Sequence, residues 1–154
     1  NYGARNKKRM MNTLKYGYLI AFLFMLVGFV VFMLIPDRLL LLFDASETML
    51  AIGIPALRKI AVHFLIAWFC IVSGTLFQAV GNAVYSMYVS VARQLVVLLP
   101  VAYLLSLTGN VRNVWFAFPI AELMSLGMST FFLLRINRKV ISHIGETQNL
   151  TNAF

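Results

Sequence analysis

The sequence predicts an all-α, polytopic membrane protein with four transmembrane helices. Hydrophobic residues make up 61% of the chain and charged residues only 12%, and the mean hydropathy is +0.85. Soluble domains contain roughly 45–50% apolar and about 25% charged residues. The apolar residues also fall into four runs of the length, about 20 residues, that a helix needs to cross the hydrocarbon core of a bilayer.

The first two runs are almost free of charge. Residues 16–36 read YGYLIAFLFMLVGFVVFMLIP and contain no charged side chain. Residues 60–80 have His63 and Gln78 as their strongly polar members. Each run therefore predicts one membrane span.

The other two runs each contain one charge. Residues 87–107 carry Arg93 near their start, and residues 114–134 carry Glu122, with Arg112 and Arg135 just beyond the ends. A single charge within an otherwise apolar run of this length is compatible with a span, although it requires compensation from its surroundings. The four runs together form a transmembrane region over residues 16–139.

The segment between the first two spans, residues 37–59, is too long for a turn and too charged for another crossing. We expect it to lie at the membrane interface. Pro36 or Asp37 can begin a short helix there, and Asp44 with Glu47 three residues later has the spacing of a capping box for a second helix. GNAVYS and SLTGNVRN predict the remaining turns, with Gly and Asn at the positions where a positive φ is expected.

The distribution of Lys and Arg predicts the orientation, because short cytoplasmic loops retain an excess of both. One side of the membrane receives the larger group, which is Arg5, Lys7, Lys8, Arg9, Lys15, Arg93, Arg135, Arg138 and Lys139. The other side receives Arg38, Arg58, Lys59 and Arg112. Residues 1–15 are therefore predicted to be a basic cytoplasmic loop and residues 140–154 a cytoplasmic tail, in a multi-pass protein of the cell membrane.

Several classes of function are disfavoured by the same residues. The net charge of +8 lies beside the spans, without interleaved aromatic residues or a nucleic-acid-binding module, so nucleic acid is not an expected partner. Cys70 is the only cysteine, and we interpret it as a packing residue. His63 and His143 have no neighbouring ligand in the sequence, so no metal site is predicted. No motif of an enzyme is present, and we expect neither an enzyme nor a cofactor.

Two spans have polar or small residues along one helical face. In the second span this stripe consists of His63, Ala67, Cys70, Gly74, Gln78 and Gly81. In the fourth span it consists of Pro119, Glu122, Ser125 and Ser129. Residues three or four positions apart share a face of a helix, and such faces allow close packing and interhelical hydrogen bonds in lipid.

Glu122 has two interpretations. In the first it pairs with an Arg, His or Ser of a neighbouring helix and has a structural role. In the second it lines a cavity and binds a cation or a proton, because a carboxylate within a span is a candidate functional residue. Arg93 is interpreted as an anchor whose long stem reaches the headgroups. Pro100 and Pro119 are expected to bend their helices.

Five segments in register carry a resemblance to a known family. They are NYGARNKKR, LFDASETMLAIGIPALRKIA, FQAVGNAVYSMYVSVARQ, LLPVAYLL and GNVRNVWFAFPIAELMS. Over residues 1–139 the chain resembles the C-terminal half of the multidrug and toxic compound extrusion (MATE) family. Members of that family have twelve spans in two six-helix lobes, and this chain resembles the last four, that is, part of one lobe.

The resemblance implies a secondary active exporter. Its substrates would be small amphipathic or cationic compounds, exchanged for protons or sodium by alternating access, and its partners would be membrane lipid and the remaining helices of the transporter. The positions that match the family signatures are Gly81, Arg93, Gln94, Pro100 and Pro119. The residues expected along the substrate or ion pathway are Glu122, Gln78, Ser125, Ser129 and His63.

Three points stay open at the level of sequence. The carboxylate best known for coupling in the family lies in its first span, which has no counterpart here, so the coupling ion and the substrate are undetermined. A lipid or oligosaccharide flippase of the same superfamily is an alternative, which a cavity lined by several cationic side chains would favour. A small four-span structural subunit is another.

Overall fold

The structure, a computed structural model, describes residues 2–141, apart from the side chain of Val140. Within that range the chain is helical throughout, with no β-strand, so the predicted all-α fold is confirmed. The predictions for residues 142–154, including the greater part of the cytoplasmic tail and His143, lie outside the described residues.

Helix α1, Lys7–Leu34, begins well before the charge-free run. The Asn6 side chain caps it by accepting a hydrogen bond from the Arg9 amide at 2.9 Å. Hydropathy marks the part of a helix that suits lipid, whereas the cap marks where the helix begins. The basic residues that flank the predicted span therefore belong to the same helix as the span.

The connector folds into two helices, α2, Pro36–Leu41, and α3, Glu47–Ala61. Pro36 occupies the first position of α2, where its missing N–H costs no hydrogen bond. The predicted cap of α3 is wrong: the Ser46 hydroxyl accepts from the Met49 amide at 3.3 Å, whereas Asp44 takes a positive φ of 55°. Asp44 thus belongs to the preceding turn.

Helix α4, Phe64–Ala79, starts later than the predicted span. Ile60 belongs to α3, and the chain bends by 54° between α3 and α4. His63 lies in this bend, just before the first residue of α4, and its Nδ1 contacts the Ile60 carbonyl. After α4 the chain turns at Gly81, whose φ is +81°, as the pattern of Gly and Asn predicted.

The third span has three parts. Helix α5, Ala83–Val91, leads into a π-helical segment, Ala92–Leu98, and the span continues as α6, Leu99–Ser106. Pro100, the second residue of α6, lies two residues after the π segment and cannot donate a backbone hydrogen bond to the preceding turn. Its expected effect on the helix coincides with this local change from α to π geometry.

The fourth span is preceded by a short helix, α7, Val111–Val114, and consists of α8, Ala117–Ile136, with a π turn, Asn137–Ile141, at its end. Pro119 lies in the first turn of α8, where a missing N–H is tolerated. The interruption of the helix falls before it, at Trp115 and Phe116, and α8 continues unbroken past Glu122.

Among the described residues, three helices are long and apolar enough to cross a membrane, and a fourth span results when the bent pair α3–α4 is counted as one. The exposed surface includes many large apolar side chains, such as Phe24, Leu34 and Phe131. A soluble protein rarely exposes apolar patches of that extent. The chain is therefore a multi-pass membrane protein.

Helix α4 lies at the centre of the bundle. It packs against α1 on one side and against α5 and α8 on the other. A hydrophobic cluster closes the end of the bundle near the chain termini, and its buried members are Met10, Leu76, Phe77, Val80, Ile136 and Ile141. The opposite side of α4 faces the polar residues of α5 and α8.

Candidate functional site

The two charges within the spans form an ion pair. Arg93, the second residue of the π segment, places its Nη1 3.4 Å from Glu122 Oε2 on α8. Glu122 is 2% exposed and the Arg93 side chain 39% exposed. The prediction that Arg93 extends to the headgroups is wrong, because its guanidinium reaches inward to the carboxylate.

The rest of the polar face of α8 is buried without hydrogen bonds. Ser125 and Ser129 are each 0% exposed. Within residues 2–141, their hydroxyl oxygens and Glu122 Oε1 have no hydrogen-bond partner. Buried polar groups in folded proteins are nearly always hydrogen-bonded, so unpartnered oxygens gathered on one helical face require an explanation. The buried Cys70 thiol of α4, a weak hydrogen-bonding group, lies within reach of both Glu122 and Ser129, whereas Ser125 has no such neighbour among the described residues.

A cavity of about 240 Å³, here called the Gln78 cavity, lies on one side of the ion pair. Gln78 Nε2 donates a hydrogen bond to Ser86 Oγ at 3.1 Å across it. Its walls come from α4, α5 and α8 and consist of Cys70, Ile71, Gly74, Thr75, Gln78, Ser86, Val89, Ser90, Arg93, Ser125 and Ser129. Small and hydroxyl-bearing residues thus line the half of the bundle toward the chain termini.

A second cavity, here called the His63 cavity, has a volume of about 230 Å³ and lies toward the other end of the helices. Its walls are Ile60, His63, Arg93, Gln94, Leu98, Phe118, Ala121 and Glu122. Arg93 lines both cavities. The ion pair between Arg93 and Glu122 therefore stands where the two cavities meet.

The structure brings most of the predicted pathway residues together. Glu122 and His63 line one cavity, and Gln78, Ser125 and Ser129 line the other. Two signature residues, Arg93 and Gln94, join them. The other three do not: Gly81 forms the turn after α4, and Pro100 and Pro119 lie near the starts of α6 and α8.

The sequence interpretation did not identify several residues that line the Gln78 cavity, among them the hydroxyl-bearing Thr75, Ser86 and Ser90, and it assigned Cys70 to packing alone. A signal for the serines was present. Ser86, Ser90 and Arg93 follow one another at spacings of four and three, the rule that revealed the polar faces of the second and fourth spans. Applied to the third span, it predicts a third polar face with Arg93 at its inner end.

The chemistry of this site is that of a charge held within a membrane protein. In the part of the chain that the structure describes, no group of three or more His, Cys, Asp or Glu side chains could hold a metal ion. The paired charges sum to zero when both are ionised. A proton or cation at Glu122, or an organic cation near it, would change that sum.

Membrane-spanning helices around a buried ion pair between two polar cavities are typical of a membrane transport protein. A sequence profile of the MatE family matches residues 1–104, more than half of the chain. The chain belongs to the MatE family of transporters, as the five segments indicated. The matched range contains α1 to α5 and Arg93 and ends before α8. No curated protein and no solved structure matches the chain.

Proposed function

We propose that the chain forms part of a secondary active exporter that exchanges small amphipathic or cationic compounds for protons or sodium by alternating access. The observation that supports this proposal best is the Arg93–Glu122 pair at the meeting point of two cavities, with unpartnered oxygens on the Glu122 side. Membership of a transporter family supplies the general class. The pair identifies Glu122 as the candidate for the residue that binds the exchanged cation.

The electrostatic argument follows from the position of the carboxylate. A charge within a span is costly unless it is paired or faces water. Glu122 is paired through one oxygen only, so its second oxygen remains available to a cation, a proton or a substrate ammonium group. A ligand that binds one conformation of the bundle better than another shifts the equilibrium between them, which is the thermodynamic requirement for coupled transport.

The lining of the cavities supports an exporter of cations over a flippase. A flippase for anionic lipid or oligosaccharide headgroups would require several cationic side chains along the cavity. Arg93 is the only Lys or Arg among the lining residues of these two cavities, and Glu122 offsets its charge. The cavities therefore lack the excess of positive charge that an anionic headgroup would need.

A transport assay tests the proposal. The full-length protein, produced in cells without their own exporters, is expected to expel a fluorescent cationic dye when an ion gradient is imposed. Glu122→Gln should lower the rate about tenfold, the size of a typical coupling between sites. Asp37→Asn, which removes a half-exposed carboxylate outside the bundle, should leave the rate unchanged. Equal export by the wild type and Glu122→Gln would contradict a role for the carboxylate.

The number of spans in the native protein is tested separately. An antibody raised against residues 140–154 should detect a protein of roughly three times the mass of this 17.4 kDa chain, as twelve spans rather than four require. A native protein with the mass of this chain would instead favour the structural subunit. We further propose that the protein lies in the cell membrane with both ends of this region cytoplasmic, which the flanking basic residues support.

A further inference from the structure

The Arg93–Glu122 pair lies at the boundary between the Gln78 cavity and the His63 cavity. Arg93 lines both cavities, Glu122 lines the His63 cavity, and Ser125 and Ser129 line the Gln78 cavity. The carboxylate and the two serines lie on one face of α8. A change in the charge of Glu122 therefore acts on Arg93, whose side chain lines both cavities.

The hydrogen bonding of the pair is incomplete. A buried ion pair that serves stability alone requires its remaining lone pairs to be satisfied, because desolvation otherwise outweighs the attraction between the charges. Glu122 contributes only Oε2 to the pair. Within residues 2–141, Ser125 Oγ has no hydrogen-bond partner, and the only further group beside Glu122 Oε1 and Ser129 Oγ is the Cys70 thiol, a weak hydrogen-bonding group. A proton bound to the carboxylate would supply a hydrogen-bond donor for these oxygens.

We propose that Glu122 is a proton-binding site that determines whether the two cavities are separated, with Arg93 as the internal cation that competes with the proton. The coupling role of this site rests on the proposed function, since only an exporter would use it to exchange ions for substrate. The proton binding itself does not depend on what is transported.

The proton balance is simple. With Glu122 ionised, the carboxylate and the Arg93 guanidinium sum to zero and the pair spans the boundary between the cavities. A proton from cavity water bonds to a carboxylate oxygen, the guanidinium keeps all its protons, and the site gains one positive charge. Neutral Glu122 then holds Arg93 less strongly, and its O–H can donate to a serine hydroxyl of the same face.

A proton fits this site better than a metal ion. A metal ion at the free oxygen of Glu122 would lie beside the Arg93 guanidinium and be repelled by it, whereas a proton removes the negative charge that holds the guanidinium. Hard metal ions also take about six oxygen ligands. The face of α8 offers Glu122, Ser125 and Ser129, and none of its neighbours within the described residues adds a second carboxylate.

The other titratable groups around Glu122 come from the neighbouring elements. Arg93 faces it from the π segment, Cys70 from α4, and His63 from the bend between α3 and α4. The imidazole of His63 can also take up a proton, so its contribution must be separated from that of Glu122 in any measurement. His63→Gln is the variant that removes it.

The π segment gives Arg93 a means of moving. Ala92–Leu98 lies between two α-helical stretches, and π segments within α-helices occur frequently at functional sites. A change between π and α geometry rotates the residues on one side relative to those on the other. Release of the Arg93 side chain from Glu122 can therefore be accompanied by a rotation that opens the boundary between the two cavities.

Cys70 provides the test, because it lines the Gln78 cavity and is the only cysteine in these residues. The full-length protein, with any cysteine elsewhere replaced, is treated with a small charged methanethiosulfonate reagent from either side of the membrane. The measured quantity is the labelling rate from the His63 side divided by the rate from the Gln78 side. The ratio cancels the dependence of the thiol's own reactivity on pH.

The proposal predicts that Glu122→Gln, which imitates the protonated acid, raises this ratio about tenfold, the change expected when a conformer populated at 0.1–10% becomes a major one. The wild type should show the same rise as the pH falls, with or without His63→Gln, and Asp37→Asn should behave as the wild type. Infrared spectra should show a protonated carboxyl band at low pH that Glu122→Gln lacks.

A ratio that is independent of pH in the wild type, together with infrared spectra in which no such band develops, would overturn the proposal. The pH series on the wild type decides the matter even if Glu122→Gln fails to fold. A protein that exports the cationic dye but shows neither effect retains the proposed function without this site. A protein that shows both effects but exports no dye retains the site and loses the proposed function.

Discussion

Serines are buried on both sides of α4, but their hydrogen bonding differs between the two sides. Toward α1, Ser73 is 0% exposed and shares a 2.8 Å hydrogen bond with the Tyr18 hydroxyl, while the Tyr18 ring stacks on Phe69. Toward α8, Ser125 and Ser129 are equally buried; among residues 2–141, Ser125 has no hydrogen-bond partner and Ser129 has only the weak Cys70 thiol beside it. One face is a packing interface with its polar groups hydrogen-bonded, and the other contains the candidate site.

This difference indicates how the bundle divides stability from function. The α1–α4 interface combines aromatic packing with a satisfied polar pair, so its hydrogen bonds favour a single arrangement. The α4–α5–α8 side contains two cavities and an incompletely hydrogen-bonded ion pair. It is therefore less densely packed and has fewer hydrogen bonds than a fully satisfied interface would have. Local strain and unsatisfied groups of that kind are characteristic of sites that change state.

The largest expected effect comes from removing the carboxylate on the site face. Glu122→Leu leaves Arg93 without its partner, and the free energy of unfolding should fall by about 3 kcal/mol, the lower end for a broken buried pair because Arg93 is partly exposed. Unfolding of the purified full-length protein in mixed detergent micelles measures this.

The double variant Arg93→Met/Glu122→Leu is the matched control. Replacing both charges by apolar groups is often neutral or stabilising, so the double variant should recover most of the lost stability. Its export rate should stay low, as expected for Glu122→Gln, because the carboxylate is still missing. If the double variant stayed as unstable as Glu122→Leu, the loss would not come from an unpaired Arg93.

A comparison of serines sharpens the contrast between the faces. Ser73→Ala removes the partner of the Tyr18 hydroxyl and should cost about 1 kcal/mol, the net value of one hydrogen bond. Ser125→Ala removes a buried hydroxyl that has no partner and should cost nothing or stabilise slightly. The same unfolding assay measures both, and an equal loss for the two alanine variants would show that the faces do not differ in this respect.

The serine comparison also separates the functional consequences. Ser73→Ala is expected to export at the wild-type rate, whereas Ser125→Ala should alter the pH dependence of export, because it removes a hydroxyl from the face that carries Glu122. Dye export measured over a series of pH values distinguishes the two. Identical pH profiles in Ser125→Ala and the wild type would argue that this hydroxyl has no part in the response.

The smallest expected effect concerns two glycines in helices. Gly127→Ala meets no atom within 4 Å, so it should stabilise by roughly 0.5–1 kcal/mol through helix propensity alone. An alanine Cβ at Gly74 would lie 3.3 Å from Ser86 Oγ in the Gln78 cavity, so Gly74→Ala should gain less and disturb the Gln78–Ser86 hydrogen bond. An equal increase in the free energy of unfolding for both variants would indicate that the Ser86 side chain can move away from the new Cβ at no cost.

The fold was predictable where it depends on hydropathy and turn chemistry. The four apolar runs and the turns at Gly81 and Gly109 follow from local sequence, and both glycines take positive φ. The bend between α3 and α4 was not predictable, because residues 60–63 suit either helix and the break depends on tertiary packing. The cap at Ser46 was missed because Asp44 and Glu47 also had capping-box spacing.

The two polar helical faces of the site were predictable from the sequence, but the ion pair between Arg93 and Glu122 was not. The spacing of Glu122, Ser125 and Ser129 identified one face, and Gln78 with Cys70 and Gly74 identified another. Whether Arg93 pairs with Glu122 or reaches the headgroups depends on the rotation of the third span, which the π segment sets. A single sequence contains no signal for that rotation beyond Pro100.

The 54° bend before α4 has a consequence for the lipid around the protein. Helix α4 has 16 residues, about 24 Å at 1.5 Å per residue, whereas α1 has 28. A hydrocarbon core of about 30 Å exceeds the shorter length, so the membrane must thin beside α4 or the end of α3 must complete the crossing. We expect bilayers of longer acyl chains to slow Cys70 labelling from the His63 side in reconstituted protein, and an unchanged rate would exclude this mismatch. Bilayer thickness would then act on this protein as a mechanical input, through the length of α4.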